Sequence, residues 1–139
     1  MKNKSPLTLM EQLIMLMVFA IAAALCLQIF ALSGRISRSM DTRDRAITAV
    51  QNAAESIKIS SGNLADHVSL FGGTQNGNTW EICYNADWEI TSSDNAVYFV
   101  TAVIEDDDND YLGTADVCAV SSDGEVIFKL TAAWQEVSP

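Results

Sequence analysis

Hydrophobic residues are distributed unevenly along the chain, and their spacing changes at two points. Residues 13–32 read LIMLMVFAIAAALCLQIFAL, twenty positions in which Gln28 is the only strongly polar side chain. At about 1.5 Å of rise per residue, this run spans roughly 30 Å as a helix, which is the thickness of the hydrocarbon core of a bilayer. The pattern therefore predicts a transmembrane helix, which we assign to residues 7–34.

The same run is predicted to be a retained anchor rather than a removable signal. A secretory signal has an apolar core of about 7–15 residues followed by small residues at the cleavage site. Here the alanines at 22–24 lie in the middle of the run, and Leu25 precedes Cys26 where a lipoprotein signal needs a small residue. Two lysines precede the run and four arginines follow it, interleaved with aspartates, so the positive charges do not fix its orientation.

Residues 35–60 continue the helix but confine their apolar side chains to one face. The spacing is that of a helix with one buried side, and the stripe consists of Ile36, Met40, Ile47, Val50, Ala54 and Ile57. We expect one helix from about residue 9 to residue 59, with Gly34 as a point of bending and residues 60–63 as the stop. The stripe has to be covered by the remainder of the chain.

Beyond residue 78, runs rich in β-branched and aromatic residues indicate β-strands, and at residues 79–84 and 88–90 the apolar positions also alternate. Turn signals rich in Asn, Asp, Ser and Gly separate five predicted strands, at residues 79–84, 88–90, 97–104, 111–120 and 126–134. Residues 64–77 are expected to be irregular or a short helix, and they end in a glycine-rich loop. The predicted fold class is α+β, with a long N-terminal helix packed on a small antiparallel β-meander.

Charge is also distributed unevenly, and its sign changes after residue 60. Residues 1–60 carry seven basic and four acidic groups, a net charge of +3. Residues 61–139 carry fourteen acidic groups and only Lys129 as a basic one, a net charge of −13. Surfaces that bind nucleic-acid phosphates are basic. We therefore expect no nucleic-acid partner, and a soluble, acidic, β-rich domain over residues 61–139.

One acidic run has the alternating carboxylates of a calcium loop. Asp106, Asp108 and Asp110 are its alternate members, but an EF-hand loop starting at Asp106 would need glycine at Tyr111 and glutamate at Val117. A solvated acidic turn is the expected structure, with a weak cation site as the alternative. No other metal site and no cofactor is predicted.

Cys83 and Cys118 both fall in predicted strands. In an oxidising compartment they could form a disulfide, which stabilises a protein by about 2–4 kcal/mol if it is unstrained. Two reduced, buried cysteines are the alternative, and the sequence does not decide between them because it does not place their Cα atoms.

The residues give no support for an enzyme. His67 is the only histidine, and no phosphate loop or nucleophile elbow is present. We expect His67 to be a surface or helix-capping residue. Trp80, Trp88 and Trp134 are expected to be core or interface aromatics.

The N-terminus resembles a known family motif. Residues 6–13, PLTLMEQL, are similar to the prepilin motif of type IV pilins and type II secretion pseudopilins. In that family a short basic leader ends in glycine, and an apolar residue, Thr-Leu-Ile-Glu and a long apolar run follow. Residues 1–6 are the leader-like segment here, Leu7 takes the first mature position and Glu11 the fifth. The sequence departs from the family at Pro6, which stands in place of the leader's glycine.

The resemblance implies a function as well as a pilin-like fold. It implies a non-catalytic pilin-like subunit in a bacterial cell membrane, single-pass, with the C-terminal domain extracytoplasmic. Processing by a prepilin peptidase would act at Pro6 and Leu7, and Thr8 and Glu11 would serve subunit assembly. The implied partners are the membrane, other pilin-like subunits and the pilus or secretion machinery. The alternative is a membrane-tethered extracytoplasmic binding or sensor domain that does not polymerise.

Overall fold

The chain forms a long helix, a short helix and a five-stranded antiparallel sheet, so the predicted α+β class is confirmed. The computed structural model describes residues 4–105 and 111–136. Two compact units share the chain, residues 1–41 and residues 42–139. The elements are α1 (Ser5–Ile59), α2 (Leu64–Phe71), β1 (Thr74–Asn76), β2 (Thr79–Tyr84), β3 (Tyr98–Glu105), β4 (Leu112–Ser121) and β5 (Val126–Gln135), with a 3-10 turn at Ser93–Asn95 before β3.

Helix α1 ends at Ile59 as predicted but begins at Ser5, a turn earlier than expected. Pro6 lies in the first turn, where a residue without an N–H loses no intrahelical hydrogen bond. At the other end Ser61 and Gly62 have φ of 50° and 75°, and the Gly62 N–H donates to the Ile57 carbonyl (3.0 Å). This left-handed closure satisfies helix carbonyls and turns the chain out of the helix.

The sheet is a meander in which each strand is antiparallel to the next, in the order β1-β2-β3-β4-β5. Four of the five predicted strands are confirmed to within one residue at each end: β2, β3, β4 and β5. Alternating burial along β4 shows that one face is covered and the other meets solvent.

The predicted strand at residues 88–90 is wrong. This segment belongs to a loop, and only Ile90 forms an isolated bridge, to Tyr84. The reason is Asn85, whose side-chain oxygen accepts hydrogen bonds from the Asp87 N–H (2.9 Å) and the Glu89 N–H (3.0 Å). Such local capture of backbone donors competes with a sheet ladder and favours a turn.

The fifth strand is β1, which the prediction placed in a glycine-rich loop. It pairs with β2 through a tight turn at Gly77 and Asn78, and all three of its residues are exposed. Because none of its side chains is apolar, it has no hydrophobic period that a pattern could detect.

The core lies between the sheet and residues 46–57 of α1. The helix contributes mostly small residues. The buried apolar residues are Ala46, Val50, Ala53, Ala54 and Ile57 on α1, Leu64 on α2, and Trp80, Ile82, Val100, Ala102, Ala115, Val117, Ala119, Ala132 and Trp134 on the sheet. The predicted stripe is therefore confirmed at Val50, Ala54 and Ile57, whereas Ile36 and Met40 are exposed.

Trp134 fills a space that two glycines leave open. Gly113 faces it across β4 and β5, and a Cβ at Gly113 or at Gly62 would overlap the indole ring. Trp80 is buried as well, and the expected role of both tryptophans in the core is confirmed.

The prediction that His67 is a surface or capping residue is wrong. Its side chain is fully buried, with the ring 4.6 Å from that of Trp80 in edge-on contact and 5.2 Å from that of Phe71. Burial lowers the pKa of His67, and the Ser56 backbone opposes this only in part. No hydrogen bond of acceptable geometry reaches either ring nitrogen from the described residues. The helix N-cap is Asn63 instead, which accepts from the N–H groups of Ala65 and Asp66.

Candidate functional site

The N-terminal half of α1 presents an apolar surface that none of the residues described by the structure covers. An 18-residue window of this helix has a mean hydropathy of 2.7, and none of it is buried. Phe19 and Phe30 are 73% and 77% exposed. By length and composition the helix can cross a membrane. An exposed apolar surface of this size marks a membrane or protein interaction site.

The residues of the family motif lie in the first two turns of this helix, and all are exposed. The Thr8 hydroxyl donates to the Lys4 carbonyl (3.1 Å), so it is used within the helix. Thr8 and Glu11 are three residues apart and therefore share a face. The peptide bond between Pro6 and Leu7, where a leader would be cut, lies inside the first helical turn.

Glu11 is the only charged residue between Lys4 and Arg35. Its carboxylate forms no hydrogen bond or ion pair with any residue that the structure describes. It is also surrounded by exposed apolar side chains, including Leu7 and Met15. A carboxylate in such surroundings is a site at which another molecule can supply a cation.

The two strand cysteines lie too far apart for a disulfide. Cys83 is paired with Phe99 and Cys118 with Thr101, so β3 separates their strands. Two strand spacings amount to about 9–10 Å, beyond the roughly 7 Å limit for bridged Cα atoms. Both are free thiols, and the reduced alternative is the one the fold supports. Burial raises the pKa of both thiols, and the nearby Glu81 carboxylate raises that of Cys83 further.

Asp106, Asp108 and Asp110, the weak cation candidates, lie outside the described residues. Among residues 4–105 and 111–136, no group of three His, Cys, Asp or Glu side chains is placed to hold a metal ion.

A groove beside Trp88 was not predicted from the sequence. It is a cavity of about 340 Å³ within residues 42–139, and its lining consists of Asp44, Arg45, Thr48, Ala49, Asn52, Tyr84 and Trp88. The helix residues of the lining lie off the apolar stripe that the sequence predicts for α1. Tyr84 and Trp88 reach the groove because β2 and the following loop end beside that side of the helix.

Trp88 adopts an unusual backbone conformation. Its φ is 61°, a left-handed value that is a genuine outlier for a bulky residue and costs about 1–3 kcal/mol. The surrounding loop holds it there: the Trp88 N–H donates to the Asn85 carbonyl (3.0 Å), and Arg45 donates to the Asp87 carbonyl (3.4 Å). The Trp88 ring stacks on that of Tyr98, with centroids 4.4 Å apart and planes 10° from parallel.

Comparison with known proteins gives no relative: no family model, no curated protein and no solved structure matches the chain. An α+β fold hosts many unrelated functions, so the fold alone does not assign one. The features that bear on function are the exposed apolar half of α1, the carboxylate of Glu11 and the groove.

Proposed function

We propose that the chain is a non-catalytic pilin-like subunit of a type IV pilus or type II secretion-like assembly in a bacterial membrane. It is incorporated through α1, with the acidic sheet domain on the extracytoplasmic side. The observation that carries the proposal is the uncovered apolar half of α1 with the unpartnered carboxylate of Glu11 near its start. The motif resemblance over residues 6–13 supports the same assignment.

The physical mechanism is helix bundling with one polar contact that sets the register. Apolar helix surfaces pack against lipid and against each other with little preference for any one axial position. A carboxylate between such helices needs a cation, and the amine of a processed subunit that begins at Leu7 can supply it. Removing one partner of a buried ion pair is strongly destabilising because the other charge is left unpaired. Glu11 thus favours one register among many.

The acidic domain acts against random association. Residues 61–139 carry a net charge of −13, so neighbouring domains repel one another at short range. Attraction between α1 helices then has to hold the subunits together. Attraction between the helices and repulsion between the domains together predict an assembly with the helices inside and the domains outside.

The test of assembly compares Glu11→Gln with Glu11→Asp and a matched control, Gln12→Ala. Each variant is expressed with an assembly ATPase and a prepilin peptidase, and sheared filaments are separated from membranes. Glu11→Gln should remain in the membrane fraction and be lost from filaments, because the amide carries no charge. Glu11→Asp should retain part of the assembly and Gln12→Ala all of it. Normal assembly of Glu11→Gln would contradict the proposal.

The second candidate is a membrane-tethered binding or sensor domain that does not polymerise. Pro6 favours it, because proline replaces the glycine that the processing peptidase of the family expects. N-terminal sequencing of the mature protein separates the two: a methylated Leu7 at the N-terminus supports the filament subunit, and an intact Met1 supports the tether. If Pro6 limits cleavage, Pro6→Gly should increase the processed fraction.

A further inference from the structure

The groove beside Trp88 combines an aromatic wall with a polar wall, and the proposed assembly uses neither. The polar wall comes from α1, where Asp44, Thr48 and Asn52 recur every four residues and so form one row along the helix. At about 340 Å³ the cavity lies at the small end of the range for ligand sites in proteins, which is roughly 300–1,000 Å³. A groove of this size can hold a small ring.

The aromatic wall is held rigidly in place. Trp88 stacks on Tyr98 and makes a tilted contact with Tyr84, whose ring centroid lies 5.6 Å away. Trp88 and Tyr84 both line the cavity and are only partly buried. Tyr98 covers one face of the Trp88 ring, so a saturated ring would contact the remaining ring surface of Trp88 and Tyr84 that lines the cavity, with little loss of side-chain freedom because the rings are already fixed.

The polar wall offers both donors and acceptors. Asp44 presents a carboxylate, Asn52 an amide with a donor and an acceptor end, and Thr48 a hydroxyl whose proton goes to the Asp44 carbonyl (2.9 Å). Hydroxyl groups on the edge of a ring can donate hydrogen bonds to the Asp44 carboxylate. They can also donate to and accept from the Asn52 amide, and donate to the Thr48 hydroxyl oxygen. A ring with an apolar face and a hydroxylated edge therefore fits the two walls together.

The backbone of Trp88 supports a role beyond packing. Glycine or asparagine would adopt its left-handed conformation with less strain, yet the chain keeps a tryptophan there and holds it with the hydrogen bonds around Asn85. Strain maintained in this way is typical of functional positions.

Charge narrows the ligand further. The domain's net charge of −13 over residues 61–139, with Asp44 in the groove itself, disfavours anionic ligands. Arg45 lies on the same wall as Asp44, so the groove lining carries one positive and one negative side chain, which favours a neutral ligand. We propose that this groove binds a neutral sugar ring, stacked on Trp88 and hydrogen-bonded by Asp44 and Asn52. The proposal does not depend on assembly, and it applies to a filament subunit or a tethered domain alike.

The test uses the full chain in a polyoxyethylene detergent, because detergents with sugar or choline headgroups could occupy the groove. The probes are the methyl glycosides of glucose, galactose, mannose and N-acetylglucosamine, with sialic acid as the anionic and choline as the cationic comparison. Saturation-transfer NMR detects binding, and tryptophan fluorescence titration gives the affinity.

At least one neutral glycoside should bind, and sialic acid and choline should not. Asn52→Ala should weaken binding about fivefold, which corresponds to the loss of one hydrogen bond. Trp88→Leu should abolish binding, and Trp88→Phe should retain part of it because a ring face remains. Gln51→Ala, a neighbouring exposed helix position outside the lining, should leave the affinity unchanged. Asn52 is exposed, so its variant tests the site even if the tryptophan variants do not fold.

Two kinds of result would overturn the proposal. One is that no neutral glycoside binds, or that choline binds in its place. The other is that Asn52→Ala and Gln51→Ala bind the glycoside equally well, since the polar wall would then not be the binding surface.

Discussion

The buried histidine makes the stability of the sheet domain sensitive to mild acid. His67 is fully buried, and burial lowers its pKa below the usual value near 6.5. In the unfolded chain the imidazole takes up a proton near that usual value, whereas in the folded domain it resists protonation until a lower pH. The unfolded state therefore binds more protons as the pH falls below about 6.5, and the free energy of unfolding decreases.

The size of the effect follows from the single proton involved. Between the unfolded and folded pKa values, one group changes the free energy of unfolding by about 1.4 kcal/mol per pH unit at most. For a small domain a loss of 1 kcal/mol corresponds to a fall in Tm of about 4–8 °C. Other shifted groups titrate elsewhere: Asp116, whose pKa is lowered first by its hydrogen bond from Lys129, loses its contribution only below about pH 3.8. Burial raises the pKa values of Cys83, Cys118 and Tyr84, which affect stability only in alkali.

The assay is urea unfolding of the full chain in polyoxyethylene micelles, at several values from about pH 7 to about pH 5. All three tryptophans lie in residues 61–139, so their fluorescence reports on the domain and not on the apolar helix. Because His67 is the only histidine, its ring signals in NMR give the folded pKa directly. His67→Leu is the matched variant: it should abolish the pH dependence in this range and be at least as stable near pH 7, since it removes two unpartnered nitrogens. If wild type and His67→Leu lose stability in parallel, the reasoning is wrong.

Three further outcomes are expected. Gly113→Ala should destabilise the domain by about 1–3 kcal/mol, because its Cβ meets the Trp134 ring, whereas Gly34→Ala, with no atom within 4 Å of the added Cβ, should not; thermal unfolding followed by near-UV circular dichroism measures both. Intact mass should be the same with and without reductant, and all three cysteines should react with an alkylating reagent in denaturant, since a bridge would protect two of them. Asn85→Ala should cost about 1–2 kcal/mol and Asn85→Asp less, because aspartate keeps the accepting oxygen; urea unfolding compares them, and equal stability of Asn85→Ala and wild type would be contrary to the expectation.

The parts of the fold that the sequence predicts are those in which one periodicity continues over many residues. Val50, Ala54 and Ile57 recur at helical spacing and are buried, and α1 ends at the predicted residue. At β3 and β4, runs of β-prone residues bounded by turn signals give the strands to within one residue. In each case packing and local preference favour the same structure.

The sequence predictions fail where tertiary contacts, rather than local sequence, determine the structure. β1 has only polar, exposed residues, and it forms because its backbone pairs with the edge of β2. The prediction of His67 as a surface or capping residue is wrong because Leu64 and Phe71 lie three residues before and four after it, so all three share the apolar face of α2. The burial of His67 could therefore have been predicted from this spacing. The groove could not be predicted from the sequence, because its two walls come from residues 44–52 and 84–88, and only the fold brings them together.

The position of Glu11 determines how far α1 favours assembly over simple tethering. Glu11 precedes the run at residues 13–32 by two positions, so in a tether it lies near the edge of the bilayer. There a carboxylate costs less than the roughly 2.5–3.5 kcal/mol of a charged group at the bilayer centre, so a membrane tolerates it without requiring a partner. In a bundle of like helices the same carboxylate faces the apolar side chains of its neighbours and needs a cation. Slippage by one helical turn, about 5.4 Å, would separate that pair. If α1 assembles as proposed, a lone carboxylate at this point would give it a preferred register, which a uniform apolar surface cannot provide and a tether does not need.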